Sequence, residues 1–377
     1  LAVTVAACGS GQSQPAGTPA GEQQADTGEE TPPARAAAAT ATATTVIRDG
    51  LNAPGYMTFV INVHDTVHVD ESADTILRLI GIYEKYGVRG DFYLTAPMVS
   101  LYAERRPEVI ERLRDSNMTI SYHVRPPHPL YNGFDAGLKS LDDAALPEAI
   151  TDYENYRLDL ATGGLLRDQP GGYAYVASVF GRDPVVASAP NSDRRLWSAA
   201  EKVYAGLGAQ ATVLYHEEGT DPKQPFEWVE ALLIRPSDFS VTRWGEPGRE
   251  GKEPFWWNML STSKAAEYNP TAYLQSQLAA WQAKNTGRSP FITALIHENN
   301  FYRQGAEAWT SIYYADTGKK QPLSPPYDLS APDPSKPRSQ AEQDAIWAAY
   351  EEMVAWAAVN LRVATSEDLV ALAEASR

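Results

Sequence analysis

An α/β fold, a closed or nearly closed (β/α) barrel carrying long rim loops, is predicted from three observations. Apolar, β-branched runs alternate with segments of helical spacing from residue 46 onward. The runs are continuous rather than alternating, as in strands buried on both faces of a parallel sheet. Several of them end in histidine, and in such barrels the chemistry collects at the C-terminal ends of the strands.

The elements follow in order. Residues 57–63 form a compact apolar run and read as the first strand. Over 73–86, Ile76, Leu79, Ile80 and Tyr83 recur at helical spacing, and Gly87 stops that helix. Residues 90–95 are the second strand. A helix over 104–116 turns Val109, Ile110 and Leu113 inward, and 118–123 is the third strand. Later strands are expected at 185–189, 211–215 and 291–297, with helices at 196–207, 271–284 and 340–360 and a last short helix after Val363. Repeated strand–helix units imply a parallel sheet with helical cover. Residues 125–180, 216–260 and 300–340, rich in Pro, Gly and aromatics, read as loops over the rim.

The chain divides into three parts. Val5-Ala6-Ala7-Cys8 reads as the end of a secretion signal and resembles a bacterial lipobox, with Cys8 the lipidated residue. Residues 9–45 are almost wholly Gly, Ser, Gln, Pro, Ala, Thr and Glu. They cannot bury enough apolar surface to offset their ordering entropy, so they read as a disordered tether. Residues 46–377 form a single barrel domain. The expected product is an exported cell-envelope lipoprotein that meets a membrane only through its anchor.

Composition narrows the partners. The formal net charge of −16, from 48 acidic against 32 basic residues, disfavours nucleic acid, whose phosphates need a basic surface. Cys8 is the one cysteine, which excludes an internal disulfide and a Cys-based zinc site.

There are six histidines. His64-Asp65 follows the first strand, His123 ends the third and His297 ends the strand over 291–297; in a barrel these ends face one pocket. His128 follows His123 across Arg125-Pro126-Pro127, an insert that precludes a helix. A stiff extended loop can bring both imidazoles to one ion, and with Asp65 they make a two-His, one-carboxylate set. Such a set suits Zn²⁺, or Co²⁺, Ni²⁺ or Mn²⁺, and leaves positions open for water and substrate.

Residues 59–66, 87–95, 121–129, 295–297 and 361–372 together resemble the polysaccharide deacetylases of carbohydrate esterase family 4. Gly87-Val88-Arg89-Gly90-Asp91-Phe92-Tyr93-Leu94 is similar to that family's second strand, and Ser121-Tyr122-His123 with His128-Pro129 to its paired-His motif. The resemblance implies the distorted barrel, and a metal on Asp65, His123 and His128. It implies His297, in Leu295-Ile296-His297, as general acid. His64 stands where the family has its aspartate base, and no Arg occurs in 187–191, where the family's base-orienting Arg is expected. The reaction implied is removal of N- or O-linked acetyl groups from a cell-envelope or extracellular polysaccharide, with His64 available as base near neutral pH. Tyr131, Glu298, Asn299, Trp256 and Trp257 are expected to bind substrate. A glycoside hydrolase needs a pair of carboxylic acids, for which Glu217, Glu218 and Glu298 are the available residues, and a non-catalytic glycan binder is the third alternative.

Overall fold

The computed structural model describes residues 53–214, 225–241, 269–284 and 286–377. Cys8, the segment 9–45, His216, Glu217, Glu218, Trp244, Trp256 and Trp257 lie outside the described residues.

Fourteen strands are described, in chain order β1 (Tyr56–Val63), β2 (Asp91–Leu94), β3 (Thr119–His123), β4 (Tyr156–Leu158), β5 (Leu165–Pro170), β6 (Ala187–Ser188), β7 (Ala211–Thr212), β8 (Glu227–Val229), β9 (Leu232–Ile234), β10 (Phe239–Ser240), β11 (Phe291–His297), β12 (Arg303–Gly305), β13 (Ser335–Pro337) and β14 (Arg362–Val363). The principal sheet runs β10-β11-β1-β2-β3-β6, with β14 beside the start of β1, and every pair in it is parallel. A bridge from Val186 to Ala211 carries the series on to β7, which pairs in parallel with β9. Only residues 235–238 separate β9, at one end of the series, from β10 at the other. Five Cα steps span at most about 18 Å, so the sheet curls into a nearly closed (β/α) barrel.

The two faces of β1 show how the barrel is filled. Met57, Phe59, Ile61 and Val63 pack outward against helices such as Val69–Lys85 and Gln340–Asn360. Tyr56 and Val60 belong instead to a second cluster with Tyr93, Val186, Leu233 and Phe291, following the two-residue alternation of a strand. Leu369, Val370, Leu372 and Ala373, from the closing helix Ser366–Ala375, join that second cluster. The helix is fixed at the start of β2, where the Ser366 N–H and hydroxyl donate to Asp91 Oδ2 at 2.9 and 2.5 Å. It stops the N-terminal mouth, leaving the C-terminal rim for chemistry.

Several expectations are corrected. The first helix begins at Val69, with Asp70 and Glu71 in its first turn, and ends at Lys85 with Gly87 left-handed (φ +65°) just beyond. The helix expected over 104–116 is two, Ala96–Arg105 and Pro107–Asp115; Pro107 starts a new helix because it cannot donate within the old one. Residues 125–180 are not a plain rim loop, since they hold the helices Ala136–Lys139, Leu146–Asn155 and Gly172–Phe180 and the β4–β5 hairpin.

Candidate functional site

Strand register brings three histidines to one rim. Asn62 pairs with His297, Val63 with Leu94, Leu94 with Tyr122, and His123 with Ser188, so β1, β11 and β3 end at one level. The His64 ring centroid lies 4.7 Å from that of His297 and 5.8 Å from that of His123.

A carboxylate from the following loop completes the group. Glu307 Oε1 lies 3.6 Å from His64 Nε2 and 3.4 Å from His297 Nδ1, while Oε2 pairs with Lys319. His64, His297 and Glu307 are the group of three or more metal-competent side chains found among the described residues, their donor atoms all within 4.8 Å. The spacing fits an ion. Separations of 3.4 and 3.6 Å are long for hydrogen bonds, but a zinc tetrahedron with bonds of about 2.1 Å has edges of roughly 3.4 Å. His64 Nε2 is moreover buried without a hydrogen-bond partner. On the other side of the ring, Trp309 Nε1–H donates to His64 Nδ1 at 3.1 Å. Ligation through Nε2 shifts the ring proton to Nδ1, so an ion and this indole bond exclude one another.

Charge is arranged around the group. Burial, then Arg125 and His297, hold His64 well below the usual imidazole range, and burial with Arg125 and His297 does the same for His123. Burial lowers His297 as well, opposed by Glu307. Burial alone would raise Glu307, but Lys319 and the two imidazoles pull it well below the ordinary carboxylate range. Neutral imidazoles and an ionised carboxylate are the forms that ligate. His123 hydrogen-bonds the Val63 backbone and its Nε2 is buried without a partner. The bond therefore falls to Nδ1–H, and Nε2 carries the free lone pair.

The set expected from the sequence is not brought together. Asp65 Oδ1 accepts from the Val67 and His68 N–H groups at 3.2 and 3.1 Å; Oδ2 accepts from His68 Nδ1 and the Tyr302 hydroxyl, both at 3.0 Å. Both oxygens thus serve the turn into the first helix. His68, whose other nitrogen meets Asp333 Oδ2 at 3.1 Å, is a bridge within that turn. His128 Nδ1 accepts from Leu130 N–H at 3.2 Å, leaving Nε2 to face Glu154 Oε1 at 3.6 Å. Glu154 is itself held by Tyr204 Oη at 2.7 Å and Tyr173 N–H at 2.9 Å. Of the five residues, His64 and His297 share a carboxylate, His123 stands beside them, and Asp65 and His128 are committed elsewhere.

A cleft of about 550 Å³ opens over the group, lined by His297 and Glu307 with Tyr131, Asn299, Arg125 and Lys319. Tyr131 and Asn299 therefore stand where substrate contacts are expected. Glu298 does not, being fully buried: its Oε1 accepts from the backbone N–H groups of His64 and Asp65, each at 2.6 Å. Burial, then the Asp65 charge, push its carboxyl up to about 8, so it is a protonated brace under the His64 turn. Glu307, Trp309 and Lys319 come from a loop without periodicity, and no sequence signal marked them.

No protein-family model matches the chain, and no curated protein matches it. Solved structures match the chain at low identity. A putative polysaccharide deacetylase from Mycobacterium smegmatis is 14% identical, with a TM-score of 0.43, over 81% of this chain and 85% of that one. A probable polysaccharide deacetylase from Pseudomonas aeruginosa PAO1 is 12% identical, with a TM-score of 0.43, over 86% and 91%. A family 4 carbohydrate esterase from Streptomyces lividans, in complex with acetate, is 12% identical, with a TM-score of 0.30, over 65% and 79%.

Proposed function

We propose that this chain is a metal-dependent hydrolase that removes acyl groups, acetyl foremost, from a carbohydrate polymer at the cell envelope, where Cys8 would anchor it. The observation that supports the reading best is the His64–His297–Glu307 group, two of whose members, His297 and Glu307, line an open cleft. His64 and His297 fall within the segments that resemble the deacetylases of carbohydrate esterase family 4, whereas Glu307 lies outside them and the resemblance itself implies a metal on Asp65, His123 and His128. A divalent ion there, zinc foremost, would lower the pKa of a bound water and polarise the acyl carbonyl.

The chain's own residues divide the remaining work. His64 Nε2, once the Trp309 indole releases Nδ1, would hold the ion together with His297 Nδ1 and Glu307 Oε1. His123, neutral at pH 7 and with its lone pair fixed on Nε2, would take the proton of the attacking water. It would return that proton to the leaving amine or alkoxide as the acyl carbon–heteroatom bond breaks and the carboxylate is released. Tyr131 and Asn299 orient the sugar from the cleft wall. A glycosidase reading gains nothing from Asp65 and Glu298, since both carboxyl groups are buried and bonded to backbone.

The test is acetate release from acetylated chitin- and xylan-type oligomers. His123→Ala is expected to retain one ion per chain and to lose about 10²–10⁴-fold in rate. No release by metal-loaded wild type on any acylated oligomer would overturn the reading.

A further inference from the structure

Among the described residues, Arg125 is the cation lining the cleft that has no carboxylate partner. Arg125 follows β3 and precedes Pro126-Pro127, and it lines the cleft beside His297 and Glu307. Its Nε is buried without a hydrogen-bond partner. Among the described residues no carboxylate pairs with it, in a chain with 48 acidic residues. The other cations of the cleft are engaged: Lys319 with Glu307, and Arg303 with Asp333 at 3.5 Å. The Arg125 charge is felt at His64, His123 and His297 alike, which sets it against the reacting centre rather than at the outer rim.

A half-buried guanidinium whose Nε–H is buried and unmet carries a desolvation cost that an incoming anion repays. Its planar fork matches a carboxylate in two parallel hydrogen bonds. We propose that Arg125 is the anion-recognition residue of this cleft and that the ligand presents a carboxylate to it. The inference rests on the cleft being the substrate site of the proposed hydrolase. Two sources share that chemistry: the acid group of a uronic-acid unit in the polymer, and the carboxylate released by acyl cleavage.

Titration calorimetry on the full chain, with glucuronate, acetate and neutral glucose as probes, tests it. Wild type binds at least one of the two anions, and Arg125→Gln weakens that binding at least tenfold. Arg303→Gln, which removes a charge already used by Asp333, leaves it within about twofold. Tighter binding of glucuronate than acetate assigns the polymer's own acid; binding of acetate alone assigns the product. Should Arg125→Gln fail to fold, Arg125→Lys, which keeps the charge and loses the fork, gives a smaller loss of the same sign. Absence of anion binding by wild type, or equal binding by the Arg125 variant, overturns the proposal. Acetate release measured in parallel separates the two ideas. Release without anion binding leaves the hydrolase standing and removes this inference. Arg125-dependent anion binding without release does the reverse.

Discussion

Replacing His297 with alanine is expected to weaken metal binding at least about hundredfold and to abolish acyl release at micromolar metal. The variant deletes Nδ1, one of three donors, and leaves Glu307 facing His64 alone. Changes in the groups that merely orient ligands already cost about 10–100-fold in affinity or activity, so loss of a ligand belongs at or beyond the top of that range. His297 is only part-buried and packs by its edge on His64, so the fold should persist and the loss should be local. Metal affinity by competition with a chelator, beside a thermal melt in excess chelator, checks both halves. Unchanged affinity would remove His297 from the ion.

The second large effect is on stability, at the opposite end of the barrel. Burial pushes the Asp91 carboxyl up to about 6, against the pull of the Ser366 hydrogen bonds and of Arg235 and Arg89. The native state therefore holds this proton more tightly than the unfolded chain, whose aspartate titrates at 3.8. Stability is greatest below the lower value. It falls as pH rises through the window from 3.8 to about 6, by about 3 kcal/mol in all. Asp91→Asn mimics the protonated acid at the Ser366 contacts and should remove this component. Urea unfolding at the two ends of the window is expected to give a wild-type minus variant difference that changes by about 3 kcal/mol. A difference independent of pH would mean that Asp91 is ionised at little cost.

What the sequence made legible followed from element length. β1, β3 and β11 are largely buried runs of five to eight residues rich in apolar, β-branched and aromatic side chains, long enough to read as buried parallel strands, and they end in or beside histidine. The strands β6, β7 and β9 have two or three residues, too few for any period. Their place is set by neighbours in the barrel. The hairpin and the three helices within 125–180 are hidden by their Pro, Gly and Tyr content.

The site divides along the same line. His64 and His297 could be placed on one rim from the sequence, because strand ends of a barrel share a level. Adjacency to His64 suggested Asp65 as a ligand, yet consecutive residues leaving a strand point in different directions, and Asp65 turns to the backbone of the first helix. Glu307, which takes the carboxylate's place in the proposed site, lies ten residues past His297 in a loop. Only the tertiary fold brings it back.

Metal stoichiometry tests directly whether an ion sits on His64, His297 and Glu307. Wild type, Asp65→Asn and Glu307→Gln would each be loaded with zinc, desalted and analysed for bound metal. One ion per chain in wild type and Asp65→Asn, with none in Glu307→Gln, is the predicted result. Metal retained by Glu307→Gln and lost from Asp65→Asn would contradict it and return the ion to the set of Asp65, His123 and His128.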